Sequence, residues 1–422
     1  MVTNIGYKNT DIGVIPKDWD CIHLCTLGKL LSGLTYTPED VKNYGLLVLR
    51  SSNIQEGRLC FKDNVYVNCK IEADKYVKQG DLLICVRNGS RALIGKCALI
   101  DKNYNATFGA FMALFRSPHG KYLYQLFSNN TIQEQINRNC GATINQITSA
   151  DFNRFLVAFP QNPKEQAAIS EALSDVDNLT SSLQKLIEKK KAIKQGAMQE
   201  LLTGKKRLPG FFEEWNEGCI GDYCQCIRGV SYNGGTDLFP DENSYSFRLL
   251  RANNIQNGNF VPNDVQFVKK SCVSEEQVLH TNDILVCMAN GSKPLVGKNC
   301  FLNVRNGVYT FGAFMGCIRA RTPSTCMKYI FQIMNSTTYW ENISLLLSGS
   351  SINNLRPNDI LNMTYKFPTA IEQQAIAQVL SDMDSEIEKL EKKLAKYQQI
   401  KQGMMQELLT GRIRLKEGEN NA

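Results

Sequence analysis

Residues Ile193 to Gly204 read IKQGAMQELLTG, and residues Ile400 to Gly411 read IKQGMMQELLTG. Eleven of the twelve positions are identical, at an offset of 207 residues. A spacing of 207 residues between copies is the size of a whole domain, which indicates a duplication rather than a solenoid of short repeats. The chain is therefore expected to use one domain plan twice.

The match extends towards the N-terminus of each copy. Thr107 to Met112, TFGAFM, recurs as Thr310 to Met315, and Leu49 to Gln55, LRSSNIQ, recurs as LRANNIQ at Leu250 to Gln256. The offsets of the shorter matches drift between 201 and 208 residues, which indicates insertions in loops. The two copies should share a fold and differ in surface detail.

Each copy divides into a variable globular part and a nearly invariant helical part. We predict two globular domains, over residues 1–162 and 205–369. Each is followed by a long helix, over residues 163–204 and 370–411, and the chain ends in a tail over residues 412–422. The fold class is α+β, with two duplicated mixed α/β domains joined by the helices.

Alternating and continuous apolar runs predict the elements of the globular domains. Short strands are expected in both copies, and a single helix is expected near the middle of each. In the first copy the predicted strands are Leu46–Leu49, Leu82–Val86, Phe111–Phe115 and Leu156–Phe159. The predicted helix is Tyr122–Ile136 in the first copy and Tyr329–Leu346 in the second.

The ends of the long helices carry recognisable signals. Asn162 and Pro163 provide an N-cap and a first-turn proline for the first helix, and Thr369–Glu372 has the spacing of a capping box for the second. Gly204 and Gly411 can adopt the left-handed conformation that often ends a helix. The 38 residues from Glu372 to Leu409 would span about 57 Å as a helix, at 1.5 Å per residue.

Apolar residues at 3,4 spacing follow both long helices, which need a partner seam to be buried. The two helices are each other's most obvious partners, packed antiparallel as a coiled coil with an approximate two-fold axis relating the copies. Gly196 and Gly403 leave two interpretations open: a tolerated glycine costing up to about 1 kcal/mol, or a close crossing of helix backbones. The predicted partner-binding residues are Leu173, Leu183, Ile187, Met198, Leu201, Leu380, Leu390, Leu394, Met404 and Leu408.

Composition and charge exclude some classes of protein. The chain has 422 residues, of which 43% are hydrophobic, and a formal net charge of +7. No stretch approaches the roughly 18 uninterrupted apolar residues of a membrane span, so we expect a cytoplasmic protein. The chain has 15 cysteines, and those inside apolar runs, such as Cys60, Cys85, Cys140 and Cys287, are expected to be reduced core residues.

Two motifs resemble functional sites without meeting their requirements. Gly89–Lys96 and Gly291–Lys298 have one residue too many between the glycines of a phosphate-binding loop, and no Ser or Thr follows the lysine. Cys21, His23 and Cys25 have metal-ligand side chains, but alternation along a strand explains them, and no second cluster completes a zinc site. No nucleophile motif or dinucleotide loop is present. We therefore predict a protein that is not an enzyme and that holds no metal or cofactor.

The remaining signal is a set of polar residues at predicted strand ends and turns. Arg can contact guanine, Asn can contact adenine, and Lys and Ser can hold phosphates. Each of these residues taken singly is more often a solvated turn residue, but they recur at matching places in both copies. The candidate DNA-binding residues are Arg50, Ser52, Asn53, Arg87, Asn88, Arg91, Lys96, Thr143 and Asn145 in the first copy, and Arg251, Asn253, Asn254, Asn290, Lys293, Lys298, Asn353, Asn354 and Arg356 in the second.

Taken together, these motifs resemble the specificity subunit of type I restriction-modification systems. A P-x-E-Q-x-x-I helix start and an IKQG-x-MQELLTG helix end close each domain, although the second start lacks the proline. The residues that carry the resemblance are Pro163, Glu165, Gln166, Ile169 and Ile193 to Gly204, then Glu372, Gln373, Ile376 and Ile400 to Gly411, with Ile15–Trp19 and Arg207–Trp215 at the two domain starts.

The resemblance implies two target-recognition domains, each reading one half of an asymmetric, bipartite double-stranded DNA target. The helices would set the half-site spacing and dock two methyltransferase subunits, which hold S-adenosylmethionine and methylate adenine at N6. Restriction and motor subunits would join through the methyltransferase core. A coiled-coil scaffold that binds only protein remains the alternative, whereas a methyltransferase fusion would need an asparagine-proline-proline-aromatic loop that this sequence lacks.

Overall fold

The computed structural model divides the chain into two compact units. Unit 1 comprises residues 1–184 and 393–422, and unit 2 comprises residues 185–392. Each unit therefore combines one globular domain with a stretch of both long helices. The structure describes residues 6–139, 145–304, 307–348 and 353–415.

Unit 1 and the helix that leads out of it contain the following elements. The strands are Tyr7–Thr10 (β1), Gly13–Pro16 (β2), Trp19–His23 (β3), Lys29–Ser32 (β4), Val41–Lys42 (β5), Leu46–Leu49 (β6), Ile54–Gln55 (β7), Arg58–Leu59 (β8), Val65–Val67 (β9), Leu82–Cys85 (β10), Cys97–Leu99 (β11), Ala106–Phe108 (β12), Met112–Arg116 (β13) and Leu156–Pro160 (β14). The helices are Gly120–Phe127 (α1), Asn130–Asn139 (α2), Ser149–Arg154 (α3) and Pro163–Leu201 (α4).

Among the described residues, unit 2 repeats this order of elements from β3 onwards, without a counterpart of the β1–β2 hairpin. Its strands are Asn216–Cys219 (β15), Cys224–Arg228 (β16), Leu238–Phe239 (β17), Ser246–Leu250 (β18), Ile255–Gln256 (β19), Asn259–Phe260 (β20), Gln266–Lys269 (β21), Ile284–Cys287 (β22), Asn299–Phe301 (β23), Tyr309–Phe311 (β24), Met315–Ala320 (β25) and Thr364–Phe367 (β26). The helices are Ile220–Tyr223 (α5), Met327–Ile333 (α6), Thr337–Ser348 (α7), Pro357–Leu361 (α8) and Ala370–Leu408 (α9).

The two units have the same sheet topology. Unit 1 has an antiparallel sheet of order β11-β10-β13-β4 and a mixed sheet of order β12-β6-β9-β5, in which β12 and β6 are parallel. Unit 2 has the matching sheets β23-β22-β25-β16 and β24-β18-β21-β17. The predicted duplication of one mixed fold is confirmed.

The central strands β10 and β22 are buried on both faces. Leu82 and Ile84 of β10 belong to one core cluster, while Leu83 and Cys85 belong to another. Alternate side chains of a strand point to opposite faces, so one continuous apolar run serves two cores. The run Ile284–Cys287 does the same in unit 2. This burial explains why these short runs are among the clearest strand signals in the sequence.

The prediction of one helix over Tyr122–Ile136 is wrong, because the structure has two helices there. Helix α1 ends at Phe127, and α2 begins at Asn130. Ser128 and Asn129 separate them, and the short polar side chains of such residues compete with the backbone for hydrogen bonds. The same break separates α6 from α7, so Tyr329–Leu346 is also two helices.

The helix ends agree in part with their sequence signals. Gly204 and Gly411 have φ angles of +71° and +68°, the left-handed conformation predicted for them. The predicted capping box at Thr369–Glu372 is wrong, because the Glu372 carboxylate is 1% exposed and does not bond to the backbone of Thr369. It accepts hydrogen bonds from Arg207 Nε at 2.7 Å and Trp215 Nε1 at 3.1 Å. A charged guanidinium is the stronger partner for a buried carboxylate.

An equivalent carboxylate lies at the start of α4 in unit 1. Glu165 accepts hydrogen bonds from Trp19 Nε1 at 3.3 Å and from Arg414 Nη2 at 2.6 Å. Arg414 also donates to Asp18, which holds the pKa of the Asp18 carboxyl below its usual range. We call these two groups, Glu165–Trp19–Arg414 and Glu372–Trp215–Arg207, the helix anchors. Arg414 thus makes the predicted tail a structural part of unit 1.

The long helices pack against each other antiparallel within each unit, as predicted. In unit 1, Leu173 shares a core with Leu408, and Lys401 pairs with Asp177 at 2.6 Å. In unit 2, Lys194 pairs with Asp384 at 2.5 Å, and α4 and α9 contribute further side chains to one core. Lys190 and Lys191 of α4 also pair with Glu386 and Glu391 of α9, so each apolar seam is accompanied by ion pairs between the two helices.

Two expectations from composition, about the cysteines and about membrane spans, can be compared with the structure. Cys85 and Cys287 are buried, as predicted, whereas Cys60 is partly exposed and Cys140 lies outside the described residues. Burial raises the pKa of the Cys97 thiol to about 12. Within the described ranges, no helix combines the length and apolar character needed to cross a membrane.

The mid-helix glycines are not sites of close helix crossing, so that interpretation is wrong. A β-carbon built on Gly196 or Gly403 would have no neighbour within 4 Å beyond the local helix backbone. A β-carbon on Gly411, in contrast, would collide with the ring of Pro16. The two kinds of glycine therefore have different physical roles.

We expect Gly403→Ala to raise the free energy of unfolding by up to about 1 kcal/mol, because alanine lowers the entropy lost in an open helix interior. Gly411→Ala should lower it by more than about 1 kcal/mol, because its left-handed φ disfavours a β-carbon. Denaturant unfolding of the full chain, with the transition of unit 1 monitored, measures the change in free energy of unfolding for both variants. A change of the same sign for both variants would contradict this assignment.

Candidate nucleic-acid interface

Four turn segments meet at the strand ends of each unit. In unit 1, Arg87 N donates to Phe111 O at 3.1 Å, Asn88 N donates to Asn145 O at 3.3 Å, and Asn88 Nδ2 donates to Ser51 Oγ at 3.3 Å. We call these segments turn cluster 1 and their unit 2 counterparts turn cluster 2. Turn cluster 1 is residues 50–53, 87–96, 109–112 and 145–146, and turn cluster 2 is residues 251–254, 289–298, 312–315 and 353–354.

The two clusters repeat the same backbone contacts. Ala289 N donates to Phe314 O at 3.1 Å, and Asn290 N donates to Asn353 O at 3.3 Å. These bonds match those of Arg87 and Asn88 in distance. The predicted polar residues of each copy are therefore brought together on one surface of their own unit. Thr143 lies outside the described residues.

Asn53 and Asn254 are structural residues, which corrects their assignment as DNA contacts. Both side chains are 0% exposed. The Asn254 amide donates to Val261 O at 3.0 Å and to Asn263 O at 2.7 Å, while its oxygen accepts from Arg251 N at 2.9 Å. Asn53 likewise accepts from Arg50 N at 2.9 Å and donates to Cys60 O and Asp63 O, both at 3.0 Å. A side chain without exposed surface cannot reach a base edge.

The arginines before these turns are already paired with aspartates. Arg50 Nη2 lies 2.8 Å from Asp63 Oδ2, and Arg251 Nη2 lies 3.2 Å from Asp264 Oδ2. Asn253 also donates to Asp264, at 2.8 Å. Both aspartates are largely exposed, and such surface pairs contribute about 0 to 1 kcal/mol. A DNA phosphate could therefore compete for these arginines.

Several predicted contacts instead shape the loop after the central strand. Asn290 Oδ1 accepts from Ser292 N at 2.9 Å, and Asn353 Nδ2 donates to Gly291 O at 3.3 Å. Asn88 and Asn145 make the matching bonds in unit 1. These half-buried asparagines therefore hold the loop.

The basic side chains of the clusters differ in how they are engaged. Arg91 donates to Asn137 O at 2.8 Å, and Lys298 donates to Ile255 O at 3.0 Å. Arg87 and Lys293 are exposed, as is Arg356 two residues after turn cluster 2, and within the described ranges their side chains make no hydrogen bond or ion pair. Lys96 and Ser52 are half-buried, and Asn354 is exposed beside Arg356.

Two exposed phenylalanines were missed by the sequence interpretation. Phe111 is 57% exposed and Phe314 is 71% exposed, although Phe111 was assigned to a strand. The strand β13 begins one residue later, and Phe111 lies in the turn before it. The Arg87 guanidinium lies 5.4 Å from the centre of the Phe111 ring. The repeated TFGAFM motif was the available signal, because both copies place the same aromatic residue before a strand.

Turn cluster 2 surrounds an open cavity of about 870 Å³. Phe314, Tyr232 and Arg251 line it together with Asn290 and Asn353. The lining thus combines aromatic and polar side chains, a composition suited to contacting bases by stacking and by hydrogen bonds.

The motifs that resemble catalytic sites have structural explanations. The loops Gly89–Lys96 and Gly291–Lys298 each contain a short 3₁₀ helix and connect neighbouring antiparallel strands. Cys21 and His23 lie on β3, whereas Cys25 lies in the 3₁₀ helix that follows and does not share their strand face. In the part of the chain that the structure describes, no three His, Cys, Asp or Glu side chains are grouped as metal ligands.

Most of the predicted partner-binding residues are buried inside their own unit, which corrects that prediction. The buried members of this apolar stripe pack into the seam between α4 and α9 and into the domain cores, so the chain itself covers them. Leu390, Leu394 and Met404 are half-buried. The buried residues are Leu173, Leu183, Ile187, Met198, Leu201, Leu380 and Leu408.

The duplicated helix ends have a second, exposed face. Ile193 and Gly196 are exposed in unit 2, and Ile400 and Gly403 are exposed in unit 1. Ile193 is 48% exposed and Ile400 is 39% exposed, and neither is among the buried core residues of its unit. The near-identity of the two helix ends therefore extends to surface positions that packing does not explain.

Comparison with known proteins places this architecture in a defined class. The sequence profile of the type I restriction modification DNA specificity domain matches residues 16–195 and again residues 212–402. These two matches cover most of the chain. The chain therefore belongs to the type I restriction-modification DNA specificity family and contains two copies of its domain.

Individual relatives agree with this assignment. The chain is 31% identical over 201 residues to the specificity subunits of StySPI from Salmonella potsdam and EcoKI from Escherichia coli K12, an alignment spanning 48% of this chain and 43% of each relative. It is 25% identical to the putative MjaX specificity subunit of Methanocaldococcus jannaschii over 97% of both chains. These relatives do not favour the alternative of a protein-only scaffold.

Solved structures support the fold. The S subunit of the type I system of M. genitalium has a TM-score of 0.63 at 15% identity and covers 97% of both chains. A chain from a study of type I complex assembly and conformational transition has a TM-score of 0.54 at 16% identity, covering 94% of this chain and 99% of that one.

We expect Asn254→Ala to lower the free energy of unfolding by about 2 to 4 kcal/mol, because it leaves two carbonyls and one N–H of the turn without partners. The neighbouring Asn253→Ala, at an exposed position, should change it by only about 0.5 kcal/mol. Denaturant unfolding compares the two variants. Equal losses would contradict the structural role of Asn254.

Proposed function

We propose that this chain is the DNA sequence-specificity subunit of a type I restriction-modification complex. The observation that carries the proposal is the pair of turn clusters, which share a backbone framework and differ in side chains. Arg87 and Ala289 occupy the same place, as do Ser52 and Asn253. Two readers built on one framework with different contacts suit a DNA target with two different halves.

Charge and side-chain chemistry support a DNA ligand. Arg87, Lys293 and Arg356 provide exposed cations without internal partners among the described residues, and Arg50 and Arg251 are only weakly paired. Cations of this kind neutralise phosphates and position a protein on the duplex, while base edges are read by the groups that approach the groove.

The exposed face of the duplicated helix ends supports two identical partner subunits. Because Ile193 and Gly196 recur as Ile400 and Gly403 without serving the core, one binding surface is presented twice. We propose that each copy docks one methyltransferase subunit, and that the long helices set the spacing between half-sites.

In this complex the methyltransferase subunits hold S-adenosylmethionine and methylate adenine at N6, and restriction subunits join through them. This chain supplies recognition and no catalytic group. Its place of action is the cytoplasm, where the chromosomal DNA is found.

Sequencing of N6-methyladenine in DNA from cells that express the chain with its methyltransferase tests the proposal. The expected result is a methylated motif split into two different specific halves by unspecified bases. Exchanging residues 1–162 for those of a relative should change one half of the motif, and exchanging residues 205–369 should change the other. A continuous motif, or a change in both halves after either exchange, would contradict the proposal.

A further inference from the structure

Arg87 differs from the other arginines of turn cluster 1. The guanidinium of Arg50 is paired with Asp63, and that of Arg91 donates to Asn137 O. The Arg87 guanidinium is exposed, and among the described residues its side chain interacts only with the face of the Phe111 ring. It is therefore a cation with unused donors on the surface that the proposed function assigns to DNA.

The backbone of Arg87 is held in place. Its N–H donates to Phe111 O at 3.1 Å, and it forms an antiparallel bridge with Gln146. Stacking uses the face of a guanidinium and leaves the N–H groups at its edge available. The ring thus limits the conformations of the Arg87 side chain without occupying its donors. The side chain therefore loses less conformational entropy when it binds.

Unit 2 has no cation at the equivalent position. Ala289 makes the same backbone bond to Phe314 and the same bridge, to Asn354. Without an arginine above it, the Phe314 ring lines the open cavity of turn cluster 2. Positions 87 and 289 therefore share one backbone framework but present opposite chemistry.

We propose that Arg87 determines specificity by reading one guanine in the half-site bound by unit 1, an inference that rests on the proposed function. Guanine presents O6 and N7 as adjacent acceptors in the major groove, and the paired N–H groups of arginine match both at once. Unit 2, with Ala289, does not read guanine in this way. The difference makes the two half-sites unequal at equivalent positions.

The methylation experiment with single variants tests this proposal. Arg87→Ala should make one guanine position degenerate in the half-site assigned to unit 1 and leave the other half-site unchanged. The preference for that guanine should fall on the order of ten- to one-hundredfold. Arg154→Ala is the matched control, because Arg154 is an exposed arginine of α3 that lies outside turn cluster 1, and it should leave the motif unchanged.

Ala289→Arg provides the reciprocal test and should add a preference for guanine in the half-site of unit 2. If Arg87→Ala abolishes methylation, Arg87→Lys replaces it as the deciding variant, since lysine keeps the charge but not the paired donors. Relaxation at one guanine supports the proposal for either variant. An unchanged motif with uniformly weaker methylation indicates a phosphate contact and overturns the proposal.

The wild-type chain separates this inference from the function on which it rests. A wild-type motif that is not split contradicts both. A split wild-type motif that keeps every guanine in Arg87→Ala overturns the role of Arg87 alone.

Discussion

A buried carboxylate at the start of each long helix is the interaction on which each unit depends. Glu372 begins α9 and is held by Arg207, which follows α4 in the chain, while Glu165 begins α4 and is held by Arg414, which follows α9. A buried carboxylate without its partner is costly, so each anchor fixes where a helix starts against its domain. Each unit is therefore complete only when the chain segments after one helix and at the start of the other are both present.

Each unit consists of a framework that the two units share and a surface at which they differ. The anchors, the seams and the doubly buried central strands repeat between units almost contact for contact. The turn clusters are supported by these strands, and their backbone bonds repeat while some of their side chains, such as Arg87 and Ala289, differ. A rigid framework with variable turns allows recognition to change without loss of the fold. The contrast between Arg87 and Ala289 is one such change.

The sequence predicts most of the fold because its signals are local and repeated. The duplication, the buried strands and the glycine helix ends follow from periodicity and turn chemistry. The anchors do not, because Glu372 and Arg207 are 165 residues apart and a glutamate near a helix start also fits a capping box. Individual site residues are harder to predict, because residue type does not distinguish a buried turn asparagine from an exposed one. Asn253 and Asn254 are neighbours, yet Asn253 is exposed and Asn254 is buried.

Hydrogen exchange of the full chain carrying Arg414→Ala tests the central claim, that the segment after α9 closes unit 1. Amides around Trp19 and at the start of α4 should exchange faster, because the carboxylate of Glu165 loses its charged partner. Amides around Trp215 and at the start of α9 in unit 2 should be unchanged. Equal loss of protection in both units, or no loss around Trp19, would contradict the account.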